Sequence, residues 1–370
     1  MRKIGIVTFH RAVNIGAMLQ AFALQKALET EFVSEIVDYR CSCIEYGYGY
    51  KITPHNYFKN ILKSILYPKR MLLAKKRLNN YANFESRYLV KSPQFYDEKS
   101  LKQANRHYDA FVSGSDQIWN LKLTDNDWNY YLEFAELNKR YSYAASFGDI
   151  NYDSKDALKA KKMLSEYKSL LLREKSGKSV LDVLEINNDN VKVVCDPVFL
   201  LSKEDWIEAL NLTYSKHEKY ILLYIVADYT YAIEYARKLS QKLGCQIKYI
   251  NLYGRLTDCP CDMQNCNTVG PKEFLNLLLN AQCVVTTSFH GMALSLVFNK
   301  QFFYELNHIN IGRNNRLTDI AEVCDVCERE IRSSDLIEGQ INYEIVNKKI
   351  TNYVAESKET LFKSLEKSDL

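Results

Sequence analysis

The sequence lacks any long apolar run. No stretch of its 370 residues approaches the roughly 18 consecutive apolar residues that a membrane-spanning helix needs. The first ten residues, MRKIGIVTFH, have the pattern of a strand and not of an export signal. We therefore expect the ten cysteines to be free thiols in a reducing cytoplasm. The net charge of +4 is small for this length, and without any DNA- or RNA-binding signature it argues against a nucleic-acid partner.

The cysteines also lack a regular metal-binding spacing. Two clusters could together supply thiolates to zinc: Cys259, Cys261 and Cys266, and Cys324 with Cys327. The first cluster is irregularly spaced, and the two lie far apart in the sequence. In the stretch DIAEVCDVCEREI, Cys324 and Cys327 also fit one buried helix face. We therefore predict that the protein has no metal site.

Glycine is scarce in the first strand–turn–helix unit. The apolar strand KIGIVTF leads through the turn HRAVNIGA, with Gly16 as its single glycine, into the helix MLQAFALQKALET. Neither a G-x-G-x-x-G fingerprint nor a Walker A loop is present. The unit still matches the opening of a Rossmann-like domain, whose ligands bind at the carboxyl ends of the strands. Asn14 lies at that edge, where it either contacts a ligand or only shapes the turn.

Short apolar strands alternate with helical segments along the whole chain, which predicts an α/β fold with parallel sheets. A length of 370 residues favours two domains. We predict a Rossmann-like domain over residues 1–202, a second one over 203–345 and a C-terminal helix over 346–370. The carboxyl ends of the two sheets would then face a cleft.

Other turns also place polar residues at predicted strand ends. In YDAFVSGSDQIWN, Ser115 and Asp116 follow a strand, and Asp116 could act as a base, orient a hydroxyl or only cap a helix. In SLLLREKSG, Arg173 ends a strand. The basic turn GRNNR contributes Arg313 and Arg316, for which a ligand contact and a surface salt bridge both remain open.

The stretch TTSFHGMALSL, residues 286–296, joins a buried strand to a buried helix. Ser288 is the expected helix cap, and Gly291 would let a ligand approach the backbone. Amide N–H groups at a helix N-terminus attract anions. His290 is therefore predicted to be a titratable group beside an anion site, with a buried core histidine as the alternative.

Four stretches of the chain resemble the polysaccharide pyruvyl transferase family. They are TFHRAVNIGAMLQAFALQKAL, YDAFVSGSDQIWN, LLREKSG followed by VVCDPVFLL, and TTSFHGMALSL followed by NNRLTDI. The resemblance implies a glycosyltransferase-B-like architecture of two Rossmann-like domains. It also implies transfer of a pyruvyl group from phosphoenolpyruvate, as co-substrate and without a cofactor, to a sugar. The product would be a cyclic ketal on a surface glycan or its lipid-linked precursor.

The resemblance also implies roles for particular residues. His290 matches the histidine that the family uses as acid–base residue, Arg173 matches an arginine implicated in phosphoenolpyruvate binding, and Asp116 matches an acid in the first domain. Many members carry arginine in an Arg-x-His pattern, whereas this chain has Ser288 two residues before its histidine. An anion ligand is thus missing there.

Residues elsewhere complete the predicted site. Either Arg313 or Arg316 replaces the missing arginine, or this branch of the family uses a different donor. The donor would bind to the second domain, with contacts from Ser288 and Gly291 in addition to the arginines. The acceptor would bind to the first domain, where the predicted contacts are Asn14, Gly16 and Ser115.

Two other functions remain open from the sequence. The chain could be a glycosyltransferase that uses a nucleotide sugar, or a non-catalytic glycan- or anion-binding protein with the same fold. One helical stretch is basic, and three interpretations of it remain open: a solvated face, an acceptor-binding surface, or peripheral contact with the inner face of a membrane. Its cationic residues are Lys69, Arg70, Lys75, Lys76 and Arg77.

Overall fold

Helices and strands alternate along the chain. The computed structural model describes residues 1–47, 67–149, 152–186, 191–215, 218–252, 254–309, 312 and 314–366. The strands are β1 (Lys3–Val7), β2 (Val33–Ile36), β3 (Ala110–Ser113), β4 (Arg140–Ser142), β5 (Leu170–Leu172), β6 (Val191–Val193), β7 (Tyr220–Ile225), β8 (Gln246–Asn251), β9 (Gln264–Asn265), β10 (Cys283–Thr286) and β11 (Gln301–Tyr304). The helices are α1 (Ile15–Leu28), α2 (Ser42–Gly47), α3 (Pro68–Tyr88), α4 (Leu121–Thr124), α5 (Ser154–Ser165), α6 (Ser176–Val183), α7 (Lys203–Leu210), α8 (Ala232–Leu243), α9 (Pro271–Asn280), α10 (Phe289–Val297), α11 (Asn315–Cys324) and α12 (Tyr343–Glu366).

The chain divides into two compact units. The first comprises Met1–Lys51, Glu85–Leu201 and Thr351–Leu370, and the second comprises Ile52–Phe84 and Ser202–Ile350. The chain thus passes into the second unit next to the boundary predicted after residue 202. Most of α3 belongs to the second unit, and most of α12 belongs to the first. The acceptor and donor roles assigned to the two domains stay predictions.

The first unit is built on a parallel sheet with the strand order β2-β1-β3-β4. Ile4 of the central strand β1 lies opposite Ser34 on one side and Ala110 on the other. All residues of β1 except Lys3 are buried, as is typical of a parallel strand that is covered on both faces. The parallel pair β5-β6 continues this sheet through a bridge between Tyr141 and Ser169. The turns that follow β1, β3 and β5 therefore meet along one edge.

Helix α1 shows how an apolar sequence sets the packing of the first unit. Every residue of α1 except Lys26 is buried, because the segment is apolar on all sides. The two glutamines that it buries are hydrogen-bonded. Gln25, for example, donates from Nε2 to the carbonyl of Val90 at 2.7 Å and accepts the Val90 amide at 3.0 Å. The cost of burying the polar side chain of Gln25 is thus offset by its two hydrogen bonds to the backbone of Val90.

The second unit is built on a parallel sheet with the strand order β11-β10-β7-β8-β9. Val284 in β10 lies opposite Leu222 in β7 and Phe302 in β11. Both β7 and β10 are buried along their whole length. The loops that follow β7, β10 and β11 share the carboxyl edge of this sheet, where parallel α/β sheets bind their ligands.

The predicted α/β fold with two Rossmann-like parts is confirmed, because each unit contains a parallel sheet with helical connections. The predicted C-terminal helix is present as α12 and begins at Tyr343, three residues before its expected start. Among the described residues, every helix is too short or too polar to cross a membrane.

Candidate active site

The structure sorts the predicted site residues into two groups. One group lies in the first unit: Asn14, Gly16, Ser115, Asp116 and Arg173. The other lies in the second unit: Ser288, His290, Gly291 and Arg316. Arg313 falls outside the described residues.

The turn after β3 has little conformational freedom. At Gly114, φ is 137°, and a Cβ atom there would lie 2.1 Å from the carbonyl oxygen of Tyr143, so no other residue fits. The amide of Ser115 donates to Oε1 of Gln20 at 2.9 Å. Asp116 has a φ of 74°, a left-handed conformation that is uncommon for a residue with a side chain. Such backbone strain is concentrated at functional sites, which supports a role for Asp116.

Arg173 lies in the middle of three carboxylates. Its guanidinium is 3.0 Å from Oδ2 of Asp196, 3.4 Å from Oδ1 of Asp116 and 3.4 Å from Oε2 of Glu174. The Arg173 side chain is only 1% exposed. Burial by itself would lower the pKa of Arg173, but the charges of the three carboxylates raise it above its ordinary value. The arginine is therefore permanently charged, and its charge is balanced inside the first unit.

This environment changes the interpretation of Arg173. A donor-binding arginine presents its planar fork to the ligand, whereas this fork is directed at the carboxylates of its own unit. Asp116 is the member of the cluster that solvent reaches, with 14% of its side chain exposed. The geometry favours Arg173 as a residue that positions Asp116, and its contact with the donor stays a prediction.

The predicted acceptor residues have structural partners. Ser115 is fully buried and donates from Oγ to the carbonyl of Ala144 at 2.9 Å. Asn14 is the N-cap of α1, where its side-chain oxygen accepts the amide of Ala17 at 3.1 Å. Gly16 is the second residue of that helix and is buried. Of the two interpretations of Asn14, the structure supports shaping of the turn, and acceptor contacts at all three positions stay predictions.

In the second unit, hydroxyl groups link β10 to its neighbour and to the following helix. Thr286 donates from Oγ1 to the carbonyl of Tyr224 in β7 at 2.8 Å and accepts the amide of Ser288 at 3.0 Å. Ser288 then caps α10, because its Oγ accepts the amide of Gly291 at 3.2 Å. The expected cap is present, and a neutral hydroxyl provides it.

Gly291 lies where α10 packs on the sheet. A Cβ atom at this position would lie 2.4 Å from Oγ1 of Thr286 and 2.9 Å from Cδ1 of Tyr224. The space that the glycine leaves is filled by these side chains, so the glycine allows α10 to pack closely on the sheet. Ligand contact at the Gly291 backbone stays a prediction, and any such contact would have to come from the side opposite Thr286 and Tyr224.

His290 is the second residue of α10, within the first helical turn. Its side chain is almost buried, with a residue exposure of 7%, and its ring packs edge-on against Phe289 with the ring centres 5.2 Å apart. The guanidinium carbon of Arg316, in α11, lies 5.9 Å from the centre of the Phe289 ring. The structure therefore brings Arg316 to the turn that carries His290, as a ligand site for an anion would require.

Glu305 was not singled out in the sequence, although it lies at the same edge of the sheet. Its buried carboxylate follows β11 and accepts the backbone amides of Thr230 at 2.5 Å, Tyr231 at 3.0 Å and Ala232 at 2.6 Å. These amides form the N-terminus of α8. An acidic residue directly after the apolar strand QFFY was the available signal.

The cysteines are all free thiols. Across the described part of the chain, no three histidine, cysteine, aspartate or glutamate residues are grouped in a way that could hold a metal ion. Cys324 is buried in α11 as expected. Cys327 is exposed, because the left-handed residue Asp325 ends the helix between them, so the predicted common buried face is wrong.

Comparison with protein families decides the wider assignment. The family model for polysaccharide pyruvyl transferase matches residues 14–308. The chain belongs to the polysaccharide pyruvyl transferase family. The matched span contains both strand-end turns described above, and it ends before Arg316. A search of curated proteins finds no relative of this sequence.

Solved structures of other enzymes are similar over the whole chain at low identity. A UDP-GlcNAc 2-epimerase from Methanocaldococcus jannaschii, in complex with UDP-GlcNAc and UDP, is 14% identical with a TM-score of 0.48, covering 98% of this chain and 99% of its own. The UDP-GlcNAc 2-epimerase from Neisseria meningitidis bound to UDP-GlcNAc is 10% identical with a TM-score of 0.47, covering 99% and 100%. The spinosyn rhamnosyltransferase SpnG is 10% identical with a TM-score of 0.40, covering 100% and 95%. The fold assignment rests on the strands and helices of this chain itself.

Proposed function

We propose that this family member transfers a pyruvyl group from phosphoenolpyruvate to two hydroxyl groups of a sugar, forming a cyclic ketal in bacterial surface polysaccharide synthesis. Membership of the family supports pyruvyl transfer to a polysaccharide. The observation that carries the proposal is the position of His290 in the first turn of α10. A group that can donate or accept a proton lies there beside helix amides that attract an anion.

The proposed reaction takes place at C2 and C3 of phosphoenolpyruvate. One sugar hydroxyl adds to C2 and loses its proton, while a proton is delivered to C3, which becomes a methyl group. The second hydroxyl then displaces phosphate from C2 and closes the ketal ring, and its proton leaves with the departing phosphate. His290 is the proposed acid for C3, and the negative charge of the bound donor favours a protonated ring beside it.

Asp116 is the proposed base for the attacking hydroxyl, or the residue that orients it. Its carboxylate accepts the amide of Gln117 at 2.8 Å and lies 3.4 Å from Arg173, so two groups restrict its orientation. In this proposal Arg173 acts through Asp116. The variant Arg173→Lys keeps a positive charge but loses the planar fork, so we expect kcat to fall while phosphoenolpyruvate affinity is unchanged. A loss of affinity would instead indicate donor contact.

The donor would be held by the second unit. Arg316 is one described arginine near the α10 turn, since its guanidinium lies 5.9 Å from the centre of the Phe289 ring. Together with the amides of the first helical turn, its charge suits the phosphate and carboxylate groups of phosphoenolpyruvate. Arg313 is included as a proposed donor contact on the basis of the sequence alone.

A thermal-shift panel tests the donor. Phosphoenolpyruvate should raise the melting temperature, whereas uridine and guanosine nucleotide sugars should not. Stabilisation by a nucleotide sugar alone would overturn the proposal in favour of glycosyl transfer. Binding of phosphoenolpyruvate without phosphate release, over a broad panel of acceptor glycans, would favour a non-catalytic anion-binding protein.

Peripheral membrane contact through α3 is also proposed, because a lipid-linked acceptor would be presented at a membrane surface. Along the start of α3, Lys69, Lys75 and Lys76 are exposed around Leu72, whose exposure is 69%. Lysines around an exposed apolar side chain suit an anionic lipid surface. Co-sedimentation with phosphatidylglycerol vesicles should require Lys75 and Lys76, and equal binding to neutral vesicles would contradict the contact. The cytoplasmic location stays a prediction.

A further inference from the structure

A concave surface lies in the first unit, and no residue of the Arg173 cluster lines it. It is a groove of about 550 Å³, within the range of small-molecule sites. The segments 39–43, 97–99 and 124–129 line it, together with Glu133 and Lys159. The first of these segments follows β2, so the groove opens at the carboxyl edge of the sheet, where α/β folds bind ligands. We call this surface the β2 groove.

The β2 groove does not suit an acidic ligand. Its lining contains five carboxylates and three cations: Asp97, Glu98, Asp125, Asp127 and Glu133, and Arg40, Lys99 and Lys159. Two of the cations already have partners. Nη2 of Arg40 lies 3.2 Å from Oδ2 of Asp38, and the guanidinium carbon of Arg40 lies 4.2 Å from the centre of the Phe95 ring. Nζ of Lys159 lies 2.6 Å from Oε1 of Glu133 and 4.7 Å from the ring centre of Trp128. The groove would therefore repel a phosphate or carboxylate.

One wall of the β2 groove is held rigidly. The hydroxyl of Tyr39 donates to Oδ2 of Asp127 at 2.6 Å and accepts from Nδ2 of Asn129 at 3.0 Å. The other carboxylate oxygen of Asp127 accepts the amide of Asn129 at 2.9 Å. This network joins the loop after β2 to the loop after α4, so the groove is formed before any ligand binds.

A ridge at the end of α4 extends the β2 groove. Asp125 and Asn126 are consecutive residues with left-handed backbones, at φ values of 52° and 60°. Their amides are used internally, since both donate to the carbonyl of Leu121. Both residues line the β2 groove and also a neighbouring cavity of about 220 Å³, whose other side is formed by Tyr152 and α5 residue Asp156. The ridge thus lies between two adjoining concavities.

We propose that the ridge and its two concavities bind an extended, non-acidic stretch of the acceptor glycan, beyond the sugar that receives the pyruvyl group. Carboxylate and amide side chains suit the hydroxyl groups of sugars, because a carboxylate accepts hydrogen bonds from two neighbouring hydroxyls and an amide both accepts and donates. An adjoining pair of cavities fits an oligosaccharide better than a single ring. The polar lining excludes a lipid chain. The identity of the ligand as acceptor rests on the proposed function, whereas binding of a non-acidic oligosaccharide does not.

The test uses the full chain and a defined glycan array of neutral, amino and acidic oligosaccharides. The double variant Asp125→Gly/Asn126→Gly removes both side chains and keeps the left-handed backbone, which glycine adopts readily. We expect binding of neutral oligosaccharides to weaken at least tenfold. The matched control is Asn211→Gly, which removes an exposed side chain from a left-handed helix end in the second unit. It should bind as the unchanged protein does.

Three results would overturn the proposal: no neutral or amino oligosaccharide binds, acidic oligosaccharides bind more tightly than neutral ones, or the double variant binds unchanged. Circular dichroism and the melting temperature of the double variant verify that it is folded. Phosphoenolpyruvate in the thermal-shift assay separates the two proposals. If phosphoenolpyruvate does not raise the melting temperature but neutral glycans still bind through the ridge, then the proposed donor is contradicted. The proposal for the β2 groove would still stand in that case.

Discussion

Two helices of the second unit begin at the same edge of the same sheet and differ in what covers their N-termini. At α8, the carboxylate of Glu305 accepts three backbone amides. At α10, the hydroxyl of Ser288 accepts one amide, and His290 lies in the first turn. Helix N-termini attract anions in general. At α8 the protein supplies that anion itself, whereas at α10 it supplies a neutral cap.

The difference shows that topology alone does not define an anion site. Both helices follow buried parallel strands, β7 and β10, which pair directly with each other. A negative ligand at α8 would have to displace Glu305 from hydrogen bonds that cost much to break. A negative ligand at α10 meets an uncharged cap. Of these two helices, only α10 therefore suits the proposed donor.

The largest expected effect is on catalysis at α10. The variant His290→Gln keeps a hydrogen-bonding side chain of similar size but cannot deliver a proton at neutral pH. We expect phosphate release with an acceptor glycan to slow by about 10²–10⁴-fold, the usual contribution of acid–base catalysis. Phosphoenolpyruvate affinity, measured by calorimetry, should change little. A fully active variant would remove His290 from the mechanism.

Removal of the internal anion at α8 should have the next largest effect, and it acts on stability. Glu305→Ala removes the acceptor of one buried and two partly buried amides, so the free energy of unfolding should fall by about 3 kcal/mol in urea titrations. Inorganic phosphate should then stabilise the variant more than it stabilises the unchanged protein. A variant with an unchanged urea midpoint would show that Glu305 is not the anion that α8 depends on.

A variant can also make the N-terminus of α10 resemble that of α8, by giving it a negatively charged cap. Ser288→Asp retains a good helix cap, because aspartate caps as well as serine does, but it adds a negative charge at the proposed donor site. Phosphoenolpyruvate affinity should fall by about tenfold. The melting temperature should fall as well, because the position of Ser288 is buried and a carboxylate there loses its hydration. Ser202→Asp is the control for donor affinity, because Oγ of Ser202 also accepts the amide of the third residue of its helix, α7, where no donor contact is proposed. Equal affinities in the two variants would mean that the donor does not bind at α10.

The smallest effect is expected at the opposite edge of the sheet. Burial, with a contribution from Lys203, lowers the pKa of Lys300 to about 8 from 10.5. Between pH 8 and 10 the unfolded chain binds a proton that the folded chain has lost, so stability should rise with pH there. In Lys300→Met this rise should be smaller when urea midpoints are compared across that range. An identical pH dependence of the two proteins would contradict the lowered pKa.

The sequence predicted the elements of this fold better than the contacts between them. KYILLYIVAD and CVVTTS are apolar runs that become β7 and β10, and Ser288 caps the helix that was expected to follow. Local pattern suffices for these features, because hydrophobic runs and helix caps depend on neighbouring residues. The prediction of a catalytic histidine at this turn came from resemblance to a family and stays untested.

The surroundings of the charged residues could not be predicted. Arg173 meets Asp116 and Asp196 only because parallel strands from distant parts of the sequence lie side by side. Glu305 accepts amides more than seventy residues away from it in the chain. Gly291 has the sequence context of a ligand site, yet the side chains that fill its space become visible only once β7 lies beside β10. Long-range pairing decided each of these cases.

Glu305 behaves like a ligand that never dissociates. Because the carboxylate is part of the chain, its occupancy of α8 does not depend on any concentration outside the protein. Under the proposed function, the α10 turn with its neutral cap would bind its donor by mass action instead, and each tenfold rise of free donor above its dissociation constant would add about 1.4 kcal/mol to the stability of the folded state. The melting temperature of the enzyme would then report the donor concentration around it.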